Sequence, residues 1–206
     1  MEITFISDTH NLHDKLDLAG GEVLVHCGDV TTWGRKKEFD KFIDWFTRQE
    51  YKTKIFVAGN HDFCLEEEGW VVPSNIFYLK SSEVIVDGLK FYGHPYTPIY
   101  GNMAFNMSED GLEKENNKVP IDTDVLITHG PPYGILDRTH NGNNVGSASL
   151  RRLFLNFNPY INAFGHIHEA YGFRMLDGSR TVFTNCSVHE LLWKGDLQTS
   201  PVIVNI

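Results

Sequence analysis

The sequence predicts an α/β protein, and three observations carry that prediction. Short segments rich in β-branched and aromatic residues recur along the chain, an amphipathic helix stands between two of them, and five of the segments run directly into a turn that carries Asp, Asn or His. Residues 2–7 (EITFIS), 23–27 (VLVHC) and 54–58 (KIFVA) read as the first three strands, each bounded by turn formers. Between the second and third, Phe39, Phe42, Ile43 and Phe46 recur at i, i+3, i+4 and i+7, which predicts a helix over residues 36–49 whose apolar stripe packs on the core. In residues 83–92, Asp87-Gly88 falls between two apolar runs and predicts a hairpin. Residues 125–128 (VLIT), 160–164 (YINAF), 181–184 and 201–206 supply later strands, and residues 147–155 a second helix with Ser147 as its N-cap. The longest stretch read as irregular runs from 94 to 123; its Tyr96, Tyr100 and Phe105 predict an ordered loop forming one wall of a substrate pocket.

The chain of 206 residues is expected to form one domain, residues 1–206, with enough interior for a full core. Its apolar runs are strand-sized and short of the roughly 20 residues of a membrane span, and no basic-then-apolar leader opens the sequence. Cys27, Cys64 and Cys186 are too few and too scattered for a disulfide framework or a metal knuckle, so free thiols and a cytoplasmic setting are the expectation. A formal net charge of -9 argues against a long polyanion as partner and for a small phosphorylated one.

The chemistry is written at the strand ends. Asp8 and His10 follow the first strand, Gly28-Asp29 the second, Gly59-Asn60-His61-Asp62 the third, His129-Gly130-Pro131 the fourth of the series and Gly165-His166-Ile167-His168 the fifth. Carboxyl ends of strands are where α/β folds build ligand sites, and oxygen donors mixed with imidazoles suit Mn, Fe or Zn better than thiolate-preferring ions. Any one of these motifs alone is an ordinary turn. All five in order, each after a predicted strand, are not.

This series resembles the calcineurin-like metallophosphoesterases, over residues 3–189. Gly93-His94-Pro95-Tyr96-Thr97-Pro98, Ala104-Phe105-Asn106, Thr128-His129-Gly130-Pro131-Pro132 and Gly165-His166-Ile167-His168-Glu169 further resemble its small metallophosphoesterase-domain-containing branch, near the class III cyclic nucleotide phosphodiesterases. His94 departs from the small residue usual in that branch, so no role is carried over to it. The resemblance implies a four-layer αββα sandwich of two mixed β-sheets flanked by helices, with a dinuclear centre at one end. It implies one metal on Asp8, His10, Asp29 and His168, a second on Asp29, Asn60, His129 and His166, and Asp29 as the bridge. Two divalent ions are expected, Mn2+ first, with Fe, Zn, Ni or Mg as alternatives. At about 3.5 to 4 Å apart such ions generate a bridging hydroxide near neutral pH and clamp the phosphoryl oxygens for in-line attack. His61 would stand beyond the metals as general acid or phosphate contact, with Asp62 orienting its ring.

The remaining histidines carry less. His26, inside a strand, reads as a core residue or a support to the site rather than a ligand; His13 and His140 read as solvated turn residues, and His189 is given no role. Arg138, in a loop expected over the pocket, reads as a phosphate contact or a surface ion pair, and Glu169 as an anchor for a metal-ligating imidazole. No Walker A loop, Ser-His-Asp signature or dinucleotide fingerprint occurs. The leading expectation is hydrolysis of small phosphodiesters such as cyclic nucleotides. The alternatives are a nuclease or nucleic-acid end-processing phosphatase, which the acidic balance disfavours, and a non-catalytic scaffold, which the complete set of motifs disfavours.

Overall fold

The computed structural model describes residues 1–66, 72–188 and 200–206, so His189 lies outside the described residues. The chain runs through β1 (Glu2–Ile6), β2 (Gly21–His26), α1 (Lys36–Arg48), β3 (Tyr51–Phe56), β4 (Ile76–Tyr78) and the hairpin of β5 (Ser82–Val86) and β6 (Leu89–His94). It continues through β7 (Thr97–Pro98), β8 (Asn106–Met107), α2 (Glu109–Asn116), β9 (Val125–Thr128), α3 (Ala148–Leu153), β10 (Ile161–Phe164), β11 (Gly172–Met175), β12 (Val182–Asn185) and β13 (Val202–Asn205). These form a sheet of order β13-β1-β2-β3-β4, a second of order β11-β12-β10-β9-β6-β5, and a small β7-β8 pair.

Alternation along the strands sorts the layers. Ile3, Phe5, Val23, Val25, Ile55 and Val57 of the first sheet share one core with Phe91, Val125, Ile127, Ile161 and Ala163 of the second, so the sheets face each other. The residues between them point outward: Leu24 and Phe56 pack under Phe39, Phe42 and Phe46 of α1, while Tyr92 and Leu126 pack with Leu150 of α3. Both faces of the central strands are therefore buried, which explains why they read as continuous apolar runs. The result is the four-layer sandwich of mixed sheets that the resemblance implies, with parallel strands central and antiparallel strands at three of the four edges, the fourth being the parallel β4.

The parallel register brings the C-terminal ends of β1, β2 and β3 to one edge of the first sheet and those of β9 and β10 to one edge of the second. A parallel bridge between Ser7 and Ser187 ties the two sheets together just beyond the ends of β1 and β12.

Two expectations need correction, and the edge strands β4 and β11 are missing from the prediction. The stretch from 94 to 123 is not one irregular loop, for it holds α2 and the β7-β8 pair; Ser108 caps α2 by accepting from Gly111 N at 3.3 Å, and only Leu112 and Asn116 of this helix are buried, too few to print a periodic stripe. Strand β11, an antiparallel edge with Phe173 and Met175 exposed, also lacks a core pattern. His13 is not solvated: it is buried against the rings of Phe42 and Trp45, and burial pushes its pKa down to about 4. Ser147 does cap α3, accepting from Leu150 N at 3.1 Å.

Candidate metal centre

The turns after the strands are tight, and the donors themselves bear the strain. Asp8, His10, Asp29 and His166 all have positive φ, from 41° to 69°. Left-handed backbone at a non-glycine residue costs free energy and is retained where the surroundings over-determine it. Here backbone bonds from Asp8 N to the Gly28 carbonyl (2.9 Å) and from His10 N to the Asp29 carbonyl (3.1 Å) knit the first turn to the second. Neighbouring glycines leave room for donor atoms: a Cβ on Gly165 would stand 2.1 Å from Asp8 Oδ2, and one on Gly59 2.3 Å from Asp29 Oδ1.

Each carboxylate is then aimed by a backbone N–H. His61 N donates to Asp29 Oδ1 at 2.8 Å, which leaves Oδ2 facing His129 Nε2 at 3.4 Å and His10 Nε2 at 3.7 Å. His166 N donates to both oxygens of Asp8, at 3.1 and 3.0 Å, while His168 Nε2 lies 3.4 Å from Asp8 Oδ1. Asn60 Oδ1 stands 2.9 Å from His129 Nε2. Ligand atoms of Asp8, His10 and His168 lie within 4.8 Å of one another, as do those of Asp29, His129 and His166, and those of His10, Asp29 and His61. The seven expected metal ligands, Asp8, His10, Asp29, Asn60, His129, His166 and His168, thus meet at one place.

The tautomers show that this donor set fits cations. His129 Nδ1 faces the Cys27 carbonyl at 2.9 Å and His10 Nδ1 the Thr31 carbonyl at 3.1 Å. A carbonyl only accepts, so each Nδ1 carries the hydrogen, and in the neutral ring each Nε2 turns a lone pair toward carboxylate and amide oxygens. Lone pairs facing lone pairs require a positive charge between them. Without a metal, protons fill that need. Burial would lower the His129 pKa, but the charge and hydrogen bond of Asp29 reverse this and raise it to about 9. Burial would likewise raise Asp29, and the imidazoles of His129 and His10 instead hold it well below the usual carboxylate range. His10 and His166 go the other way: burial drives them down to about 4 and about 3, neutral as ligands must be.

Two assignments change. Asp62 does not orient His61, whose Nδ1 instead faces the Thr32 carbonyl at 2.9 Å. The Asp62 carboxylate is fully buried and accepts from Thr31 N (2.8 Å), Thr31 Oγ1 (2.7 Å), Gly59 N (2.8 Å) and Val30 N (3.2 Å), so it staples the Asp29 turn to the Asn60 turn. His61 itself is partly exposed and lies edge-on to His10, ring centroids 4.7 Å apart. Glu169 Oε1 accepts from His140 N at 2.6 Å and so anchors the loop after Ile135. His26 has both ring nitrogens engaged, by Thr9 Oγ1 and Gly28 N, in keeping with support rather than ligation. His94 is buried near Asn116, Nε2 to Oδ1 3.1 Å, and belongs to none of the three donor groups.

A cavity of about 530 Å³ opens beside His166, with Ile99, Tyr100 and Val145 as its apolar wall and Asn141 and Asn143 as polar partners. Of the three rings expected there, only Tyr100 lines it; Phe105 is buried and Tyr96 packs against the same core cluster under β3. Sequence reasoning missed the carbonyls of Cys27, Thr31 and Thr32, since an orienting carbonyl leaves no mark in residue type.

The calcineurin-like phosphoesterase family model matches residues 1–170. The chain belongs to that family. It is 35% identical over 212 residues to metallophosphoesterase domain-containing protein 1 of Homo sapiens, covering 89% of the chain and 64% of that relative. It is 32% identical over 224 residues to UPF0046 protein K07C11.7 of Caenorhabditis elegans, covering 100% of the chain and 75% of the relative. The chain thus spans just under two thirds of the human relative and three quarters of the nematode one. A crystal structure superimposes with a TM-score of 0.68 at 17% identity over 89% of both chains, which speaks to the fold. With its family and the donor cluster both established, the chain is a metal-dependent phosphoesterase.

Proposed function

We propose that this phosphoesterase acts on small phosphodiesters, nucleotide-derived and cyclic ones first, with two Mn2+ ions bound by the ligand sets named above and Asp29 between them. The observation that carries the substrate reading is the 530 Å³ cavity beside His166: a bare phosphate would leave it unfilled, whereas a nucleoside offers a ring for Tyr100 and polar edges for Asn141 and Asn143. The two ions supply Lewis acidity and a hydroxide near neutral pH. The chain's own residues do the rest. Asp8 and Asp29, each aimed by a backbone N–H, hold the cationic centre in one geometry, and the carbonyls of Cys27 and Thr31 keep Nε2 of His129 and His10 as the ligating nitrogens.

His61 is the proton donor in this reading. Its Nδ1 carries a hydrogen toward the Thr32 carbonyl, so the other ring nitrogen is the one that delivers a proton to the departing oxygen. Asp62 is a positioning residue that keeps the two ligand turns in register. Net charge of -9 disfavours long nucleic acids as substrate, and Cys27, Cys64 and Cys186, none of them in a disulfide, suit a reducing, cytoplasmic setting. A hydrolysis panel in Mn2+ tests the proposal: an aryl phosphomonoester, an aryl phosphodiester, 2',3'- and 3',5'-cyclic nucleotides, and single-stranded DNA. The cyclic nucleotides and the aryl diester are expected to lead. Preference for the monoester, or for DNA, overturns it.

A further inference from the structure

A second cavity, of about 590 Å³, lies next to the first, and the two share Thr139, His140 and Glu169 as a dividing ridge. The first cavity is lined by the candidate ligand His166, and Glu169 on the shared ridge directly follows His168, so the second space is reached from the donor cluster across that ridge. Two guanidiniums line it. Arg138 Nε donates to the Gly142 carbonyl at 3.3 Å, and Arg174 Nη1 to the Gly134 carbonyl at 3.3 Å. Carbonyl partners orient a guanidinium without neutralising it, and neither arginine has a carboxylate partner among the described residues. Several basic groups elsewhere on this acidic chain do meet acids: Lys90 lies between Glu83 and Asp122, Arg152 beside Glu113 and Lys118 beside Glu115.

The acids of the same cavity are already engaged. Asp137 Oδ2 accepts from Gly134 N (3.0 Å) and Gly146 N (2.9 Å), and Glu169 Oε1 from His140 N. Both carboxylates therefore tie down the loop rather than answer the arginines. What remains is a pair of oriented, charged forks with free N–H groups, which is the chemistry that recognises a phosphate bidentately.

We propose that the Arg138–Arg174 cavity is a second anion subsite of the substrate, which takes a phosphate group carried elsewhere on the same molecule while the scissile phosphoester sits at the Asp29 centre. This rests on the phosphodiesterase reading above and narrows it: the preferred substrates are nucleotide diesters that bear an additional terminal phosphate. The ridge at His140 separates the two subsites, so the substrate reaches across it.

The test compares two esters with the same scissile bond and the same leaving group, thymidine 5'-(4-nitrophenyl phosphate) with and without a 3'-phosphate, on the Mn2+-loaded full chain. Charge-assisted bonds to a phosphate predict a preference of about tenfold to a hundredfold in kcat/KM for the 3'-phosphorylated ester. In the double variant Arg138→Ala, Arg174→Ala the ratio between the two esters is expected to fall to near one, with metal content and melting temperature checked alongside. A ratio near one in the parent protein, or a preference that survives in the double variant, overturns the subsite. If neither ester turns over, the phosphodiesterase reading fails, and the subsite is judged by equilibrium dialysis of thymidine 3',5'-bisphosphate against thymidine 5'-monophosphate. There, tighter binding of the bisphosphate by tenfold or more, lost in the double variant, sustains it; equal binding of the two sinks it.

Discussion

Around Asp29 the side chains are buried and held by partners from more than one turn; around Tyr100 they stand in solvent. Asp8, Asp29 and His129 are 0%, 2% and 0% exposed, whereas Ile99 and Tyr100 are 66% and 75% exposed. In the donor nest, strained backbone, glycines with no room for a Cβ and orienting carbonyls all converge on a few oxygen and nitrogen atoms. The wall has no such redundancy. A fold can offer many small-molecule surfaces over one metal centre only if the centre is over-determined and the wall is not, and that is the division seen here.

Removing the proposed bridge is the severest way to break this contrast. Asp29→Ala leaves His10 and His129 without the oxygen that lies between them, so both ions are expected to be lost and turnover to fall by about 10³ or more. Metal analysis of the purified variant checks it, and two ions retained at full occupancy would remove Asp29 from the bridging position. His61→Ala comes next: both metals stay, and hydrolysis of nucleoside esters drops by about 10² to 10⁴. Activated aryl esters should suffer less, because their leaving group needs little proton help. Equal losses on the two substrate types would point to phosphate positioning instead.

Asp62→Ala separates support from chemistry. Its four donors, on Val30, Thr31 and Gly59, lose their acceptor, so stability is expected to fall by about 1 to 3 kcal/mol and metal affinity with it, while the pH dependence of the residual turnover keeps its shape. Thermal melts and pH–rate profiles read both effects, and a displaced profile would restore Asp62 to the proton chemistry. The smallest effect belongs to the wall. Tyr100→Ala should weaken a cyclic nucleotide by about 1 to 3 kcal/mol and barely touch a small alkyl diester. Phe105→Ala should do the reverse, with about 3 to 5 kcal/mol lost from the fold and no substrate discrimination, since its ring is buried in the core. Discrimination by Phe105 rather than Tyr100 would relocate the pocket.

Much of this division was legible in the residues. The donor types and their order could be read because parallel strands deliver their C-terminal turns to one edge, so side chains as distant in sequence as Asp8 and His168 become neighbours by topology alone. The helix α1 was equally plain, since Phe39, Phe42 and Phe46 repeat at the helical period and all three are buried. Helix α2 was not, because a helix that buries little writes little into its sequence.

The sequence by itself therefore determined the central strands and the stripe of α1, the two-sheet class through its family, and the identity of the candidate ligands. Tertiary structure alone decided that His13 is a core ring and not a surface one, that Asp62 binds backbone instead of aiming His61, that Glu169 holds a loop, and that Tyr100 faces the cavity while Tyr96 and Phe105 do not. The physical reason is common to all four. Each depends on which backbone groups or rings arrive from another part of the chain, and main-chain carbonyls and N–H groups are the same at nearly every residue, so their placement has no signature until the chain has folded.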